Sequence, residues 1–466
     1  MHKNTLSRGL KKRHMQMITL GGIIGSCYFL GSGYVLELTG PAAVISYFIG
    51  GLIVVSVMLS LGELSVANKD ISFIGYKAKY LSPTWATGIG WSYWLTWVSY
   101  VPSEMIAAGI IMNVLVPSVS PVIWAIMFGV VITAMNLINV SLFGEVEYWL
   151  AYVKIAALVG FSAIAFLIVV GLAGHAPATT PSHFIGWSVI RESGGFFPKG
   201  LVAILLTMVI VLVNFQGSEI IGLTAAESED PEKTIPSAIR NVTIRILALY
   251  VVPMLLLVMI FPWNKASLSQ SVFADALSHY GFTTIGGCFS FIILTAAIST
   301  SNSGLYAAAR ALYSLSMGRM APAYFMKLNR SKIPYRATIF SIIVTWLFVI
   351  FYTLDQSEFV YKYLLALSGF SGALCWMSIG LTQYRFRKQA EAKGRELKFK
   401  TPFFPYLTLG SVVLQIACMV AMVFTPELRT ALYVGVPICV IPMILYKLKE
   451  YLKTKVKEGK LSIPFF

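Results

Sequence analysis

Charge is scarce in this chain, and so are cysteine and histidine; each shortage removes a class of proteins. Asp, Glu, Lys and Arg make up 12% of the 466 residues, against about 25% in soluble domains. A water-soluble globular fold is therefore excluded. The five cysteines (Cys27, Cys288, Cys375, Cys418 and Cys439) each stand alone in an apolar segment. No pair has metal-ligand spacing, and nothing suggests a disulfide framework. The five histidines (His2, His14, His175, His183 and His279) fall in the N-terminal tail or in predicted loops. No Ser-His-Asp arrangement, HExxH or Walker loop appears, so no enzyme class, metal or cofactor is predicted.

What the chain has instead is apolar sequence, 57% of it. A helical membrane span needs about 20 apolar residues. Twelve such spans are predicted, at 17–38, 41–66, 86–112, 121–143, 146–173, 200–228, 240–262, 283–312, 336–354, 358–384, 404–424 and 428–447. The first apolar run is too long for a signal peptide and lacks a small-residue cleavage site. The predicted class is an all-α polytopic membrane protein. The net charge of +16 would suit nucleic acid if it lay on one soluble face, but it does not. Placing the N-terminus inside puts 30 of the 36 Lys and Arg side chains in inner segments and five in outer loops, with Lys154 inside a span. The positive-inside bias places both termini in the cytoplasm and predicts a lipid-bilayer partner and no nucleic acid.

Three spans break the apolar pattern. Span 1 carries "GGIIGSCYFLGSG", Gly21 to Gly33, with five glycines in thirteen residues. Span 6 carries "NFQGSEIIG", with Gly217 and Glu219 at membrane depth, and span 8 carries the polar run "AISTSNSG". Two interrupted helices at matching positions of two halves predict an inverted repeat around a central site. The predicted organisation is a tail at 1–16, a first repeat of helices 1–5 at 17–173, an outer loop at 174–199, and a second repeat of helices 6–10 at 200–384. Peripheral helices 11 and 12 follow at 404–447, with a basic tail at 448–466.

The glycines of span 1 have two readings. Unpaired N–H groups at the start of a half-helix attract a carboxylate, and glycine lets a ligand approach the backbone. Small residues four apart also let helices pack closely. Span 6 favours the first reading, because an ionisable residue at membrane depth is costly and usually functional. Glu219 is accordingly a site candidate, and free carbonyls of a broken helix suit an ammonium group. Glu104 in span 3 is a second mid-membrane carboxylate, close after Pro102, and a candidate proton or amine partner. Lys154 in span 5 either snorkels to the inner interface or stays inside as an ammonium that titrates. Glu63 nears the inner face and is a gate or loop-pairing candidate. Glu227, with Glu229 and Asp230, ends span 6 at the inner surface as a capping and gating charge. Tyr28, Phe29, Trp94, Trp97 and Phe215 are aromatic residues near the breaks, and Phe215 is singled out as a lid.

"LKKRHMQMITLGGIIGSCYFLGSG" resembles the opening of bacterial amino-acid permeases of the amino acid–polyamine–organocation superfamily, amino acid transporter subfamily. The likeness continues through "GPAAVISYFIGG", "GWSYWLTW", "GEVEYWLAYVKIAALVGF", "NFQGSEIIGLTAAESEDPEKTIPSAI" and "STSNSGLYAAARALYSLS" and covers nearly the whole chain. The resemblance implies a LeuT-like fold of 5+5 inverted helices, with spans 1 and 6 unwound. It implies import of an amino acid across the inner membrane by proton symport and alternating access, or exchange on the same fold without net proton coupling. The substrate-binding candidates are Ile24, Gly25, Ser26, Cys27, Trp97, Phe215, Gly217 and Ser218, of which the resemblance itself implies Gly25, Ser26, Cys27, Phe215 and Gly217. By the resemblance Gly25-Ser26-Cys27 would take the carboxylate and Lys154 and Glu219 would serve proton coupling; the reading of the residues themselves adds Glu104 to proton coupling and Glu63 and Glu227 as gating residues. The subfamily usually has Gly-Thr-Gly where this chain has Gly25-Ser26-Cys27. Cysteine tolerates left-handed backbone poorly, so a tighter break or a narrower pocket is expected. The lack of a further mid-membrane acid favours a neutral substrate. A major-facilitator transporter would share the twelve spans, but the chain has no long central loop and no basic GxxxDR-like motif after span 2.

Overall fold

The structure, a computed structural model, describes residues 23–68, 73–138, 143–174, 186–220, 248–329 and 332–458. Within them the fold is helical, with no strand. Every predicted span contains a helix. These are α1 (Ser26–Thr39), α2 (Ala43–Ala67), α3 (Pro83–Leu115), α4 (Pro121–Ile138), α5 (Phe143–Val169) and α6 (Val202–Val213). Then come α7 (Ala248–Ile260), α8 (Thr283–Met317), α9 (Tyr335–Leu354), α10 (Glu358–Ala392), α11 (Tyr406–Val423) and α12 (Leu432–Lys457). Among the described residues, eight continuous stretches are long and apolar enough to cross a membrane, one of them being α1 and α2 joined through a 3-10 turn; α4, α6 and α7 are shorter apolar helices. Short helices at Phe73–Tyr80 and Val272–His279 lie between spans.

The helix starts and stops follow local chemistry. Ser82 caps α3 by accepting from the Trp85 N–H at 3.1 Å, with Pro83 at the first position, where a missing N–H is harmless. Serine and threonine inside the spans bond back to their own helices, as Thr96 does to Ser92 and Ser99 to Leu95 in α3. In an apolar surround this satisfies a hydroxyl that has no water.

α3 is the central post. α8 and α10 pack along it, and α4, α9 and α12 also lean on it. α10 is buried along most of its length, whereas α12 shows most of its apolar surface outward, as a peripheral helix would. The Val272–His279 helix packs against α1 and α8. Its Phe273 ring stacks in a cluster with Tyr28, Phe29, Phe161 and Phe289 at centroid distances of 4.9 to 6.2 Å, which closes one end of α1.

Candidate functional site

The helical geometry of α1 begins only at Ser26. Gly25 is extended (φ −99°, ψ 177°), and no side chain of the first turn caps the helix. The cap comes from α3. The Ser26 N–H donates to Glu104 Oε2 at 3.1 Å, and the Cys27 nitrogen lies 3.5 Å from Oε1. A carboxylate is what a helix N-terminus attracts, but here it belongs to the protein. The expectation of free N–H groups is corrected accordingly: Glu104, unreadable as a neighbour of Ser26 in sequence, already holds them. Gly25 is required by this approach, since a Cβ on it would sit 2.2 Å from Tyr100 Oη and 2.5 Å from Glu104 Oε1.

The carbonyl side of the break is satisfied in the same way. Tyr250 of α7 donates its hydroxyl to the Ile23 carbonyl at 2.9 Å, and Tyr28 donates to the Tyr250 carbonyl at 2.7 Å. Ile24 between them is buried. Tyr250 carries no sequence signal, because it sits in an ordinary apolar run.

Cys27 does not tighten the break. It is the second residue of α1 and helical, so no left-handed strain arises. Its thiol is buried, 3.9 Å from Tyr361 Oη of α10. The extra Cβ therefore fills space between α1 and α10 instead of tightening the turn.

The second break is plain. α6 ends at Val213, and residues 214–219 run as turns. Gly217 has φ +104°, a conformation that glycine alone adopts without strain. Its N–H donates to Glu219 Oε2 at 3.2 Å; Trp376 Nε1 of α10 donates to the same oxygen at 3.1 Å, and Tyr93 of α3 donates to Oε1 at 3.3 Å. Gln216 is bonded both ways to Ser368 of α10. Ser218 is buried with its hydroxyl unpartnered. The Phe215 ring lies 4.6 Å from Tyr250 and 6.2 Å from Tyr47. Through Tyr250 it therefore belongs to the aromatic cluster at the α1 break. Trp97 of α3 stands edge-on to Tyr93 and Tyr100, so it bridges the groups at the two breaks. Trp94 turns away, donating to Ser341 of α9 at 3.0 Å and stacking on Phe340.

Lys154 does not snorkel. Its side chain is fully buried, and Nζ donates at 2.6 Å to Ser299 of the polar run in α8. Glu63 of α2 forms a buried fork with Arg387 of α10, Nε to Oε1 at 2.6 Å and Nη2 to Oε2 at 2.5 Å, and accepts from Gln383 and the Thr401 N–H. Both Glu63 oxygens are thereby held, which fits the loop-pairing reading and ties α2 to α10. Arg387 itself reads in sequence as one of several inner cations. Glu227 lies outside the described residues.

The start of α1 and the turn after α6 flank a core of buried carboxylates, hydroxyls and aromatic rings, with backbone donors and acceptors turned into it. The amino acid permease family model matches residues 14–458. The chain is 37% identical to the amino-acid permease RocC of Bacillus subtilis over 96% of its own length and 95% of that protein's. It is 36% identical to a putative histidine permease (97% and 95% covered) and 34% identical to a gamma-aminobutyric acid permease (98% and 96%), both from the same organism. A match spanning nearly every helix, with both breaks inside it, makes this chain a multi-pass amino-acid transporter belonging to the amino acid permease family.

Proposed function

We propose that the chain imports a neutral amino acid together with a proton, by alternating access, across the cytoplasmic membrane of a bacterium with both termini inside. The observation that carries this reading is Glu104 on the N-terminus of α1. A substrate carboxylate seeks the same N–H groups. It competes poorly while Glu104 is ionised, because two carboxylates at one site repel. Protonation of Glu104 removes both the charge and the claim on the amides. Proton and substrate then bind together, and each raises the affinity for the other.

The substrate ammonium takes the place of the Tyr250 hydroxyl at the Ile23 carbonyl, and Phe215, Trp97 and Tyr250 enclose the ligand. Ser26, Gly217 and Ser218 supply backbone and hydroxyl partners, and Cys27 narrows the space beside Tyr361. Relatives are named for histidine and gamma-aminobutyric acid; both molecules carry a carboxylate and an amine, the two groups this site addresses. Lys154, on Ser299, and Glu219, on Tyr93 and Trp376, change partners between the outward and inward states. Glu63 with Arg387 holds the inner end, and Glu227 adds a gating charge there.

The test is uptake of a labelled amino-acid panel by proteoliposomes, with and without an acid-outside gradient. Concentrative uptake of one or more neutral amino acids that collapses with the gradient is the expected result. Uptake that needs counter-substrate inside and ignores the gradient would replace symport by exchange.

A further inference from the structure

The transport scheme uses the middle of the bundle and leaves a large cavity at its edge unused. This cavity lies at the basic ends of α8 and α12 and has a volume of about 920 Å³, within the range of about 300–1,000 Å³ typical of small-molecule sites. α3 and α12 supply two of its sides, and the chain leaving α8 supplies another. That chain has a fixed shape. The Arg319 and Met320 N–H groups donate back to the Ser316 and Leu315 carbonyls at 3.0 and 2.8 Å, the Schellman way of ending a helix. Trp91 of α3 donates to the Met320 carbonyl at 3.3 Å, and the Ser316 hydroxyl donates to that of Pro322 at 2.9 Å.

The walls are apolar, with Phe325, Phe340, Ile438, Ile441 and Leu445 among them. Among the described residues the charged ones lining the cavity are Arg319 and Lys449, both cations. Arg319 is exposed, and its guanidinium has no hydrogen bond or ion pair among the described residues. Lys449 gives one donor to the Arg319 carbonyl, 3.4 Å away, and an ammonium has three. Other charges nearby are engaged: Arg336 lies 4.3 Å over the Tyr324 ring and donates to Tyr335 at 3.2 Å, and Lys453 pairs with Glu450 at 2.7 Å. The backbone singles out Arg319 as well. Its φ is +58°, at the left-handed helix-end position that glycine usually takes, while Gly318 stands one place earlier at φ −80°. An arginine is kept there against the preference of the backbone.

We propose that this cavity is a site for one anionic phospholipid, with an acyl chain laid along the apolar walls between α3, α9 and α12 and the phosphate held by Arg319 and Lys449. The occupant follows from the place. α8 and α12 are long apolar helices of a membrane protein, so their basic ends meet the headgroup layer, where anionic lipids are drawn to Lys and Arg. A soluble anion would meet the same two cations and gain nothing from the apolar walls. A second copy brought here by two-fold symmetry would set these cations against their own images. The site lies apart from both helix breaks, and the proposal stands whichever amino acid is carried and whether or not a proton accompanies it.

The test uses the purified full-length chain in mild detergent and a phosphatidylglycerol with a diazirine in its acyl chain. After photolysis the labelled peptides are read by mass spectrometry. Label should fall on the peptides that wall the cavity, those carrying Phe325, Phe340 and Ile441. Unlabelled phosphatidylglycerol should displace it about 30-fold better than phosphatidylcholine of the same chains, at about fivefold for each of two basic residues. Glycerol phosphate, the free headgroup, should not displace it. In Arg319→Gln with Lys449→Gln the two lipids should compete equally.

Arg319→Gly keeps the test open if the double variant does not fold, because glycine suits the left-handed backbone and only one cation is lost. Its preference for phosphatidylglycerol should fall about fivefold. A preference unchanged in either variant overturns the proposal, and so does label spread over the outer face of α12 with none in the cavity. Displacement by glycerol phosphate as good as that by the lipid would make this a soluble-anion site. Label that enters only after a dimer of the chain is dissociated would give the cavity to a second copy. Either result overturns the lipid assignment.

Discussion

Replacing Glu104 with glutamine should tighten substrate binding, which is the opposite of what loss of a ligand-contacting residue does. Glu104 holds the Ser26 and Cys27 N–H groups, and on the proposed reading the substrate carboxylate must displace it. An anion at a partly buried helix N-terminus gains up to about 2 kcal/mol, and a hydrogen bond to a charged group contributes about 1.5–3 kcal/mol. Taking about 2 kcal/mol as the competition removed, the variant should bind about 30-fold more tightly at neutral pH, at about 1.4 kcal/mol per tenfold. The sign with pH follows. Wild-type affinity should rise as the pH falls and Glu104 takes its proton, while the glutamine variant stays flat; the two curves meet on the acid side. Equilibrium binding of a labelled amino acid to purified protein, from mildly acidic to mildly alkaline pH, reads both effects. Weaker binding in the variant at every pH would refute the reasoning and make Glu104 the partner of the substrate ammonium.

Gly25→Ala places a Cβ 2.2 Å from Tyr100 Oη and 2.5 Å from Glu104 Oε1; binding should be lost while the melting temperature of the purified protein changes little, and normal binding would show that α3 yields. Arg387→Ala leaves the Glu63 carboxylate buried and unpaired, which should destabilise by about 3–5 kcal/mol; unfolding in denaturant checks this, and Glu63→Gln in the same chain should recover part of the loss. Burial pushes the Asp275 carboxyl up to about 6, above the unfolded value of about 3.9. The folded chain therefore holds that proton more tightly, and the stability it confers is complete below about pH 4 and lost as the pH rises through about 6. Asp275→Asn should flatten that part of the melting-temperature profile, and an unchanged slope would refute the assignment.

The spans were legible because lipid allows only long apolar helices, and the chain writes each as a run of about 20 residues. The span 6 break was legible for a related reason: a glycine and a carboxylate in such a run have few explanations, and Gly217 at φ +104° with Glu219 beside it is what they describe. The partners were not legible. Glu104 caps a helix start 78 residues earlier, and Tyr250 serves a carbonyl 227 residues away. Only packing brings them there, and a tyrosine in an apolar run looks like any other core aromatic. The burial of Lys77, 1% exposed, was not legible either. Its neighbour Lys79 is exposed, and nothing in "GYKAKY" tells which lysine turns inward. Cys27 was read as part of a break around Gly25-Ser26-Cys27, but the helix restarts at Ser26, so Cys27 is already helical and its Cβ meets no left-handed strain.

A broken helix in a low-dielectric interior cannot leave its donors and acceptors bare, since each unsatisfied group costs several kcal/mol. When no ligand is present the protein must fill those valences itself. Here an acid fills the donor side and a phenol the acceptor side, on two separate spans, α3 and α7. On the proposed reading, substrate affinity is then a difference between two occupants of the same groups, not a sum of contacts. A ligand with only a carboxylate replaces Glu104 and leaves Tyr250 in place; one with only an amine does the converse. A molecule carrying both frees α3 and α7 together, so the gain from the second exchange does not bear a second cost of association. That joint release favours amino acids over simple acids or amines. On the same proposed reading the proton belongs at the donor side of the break, where Glu104 gives up its charge before the exchange begins.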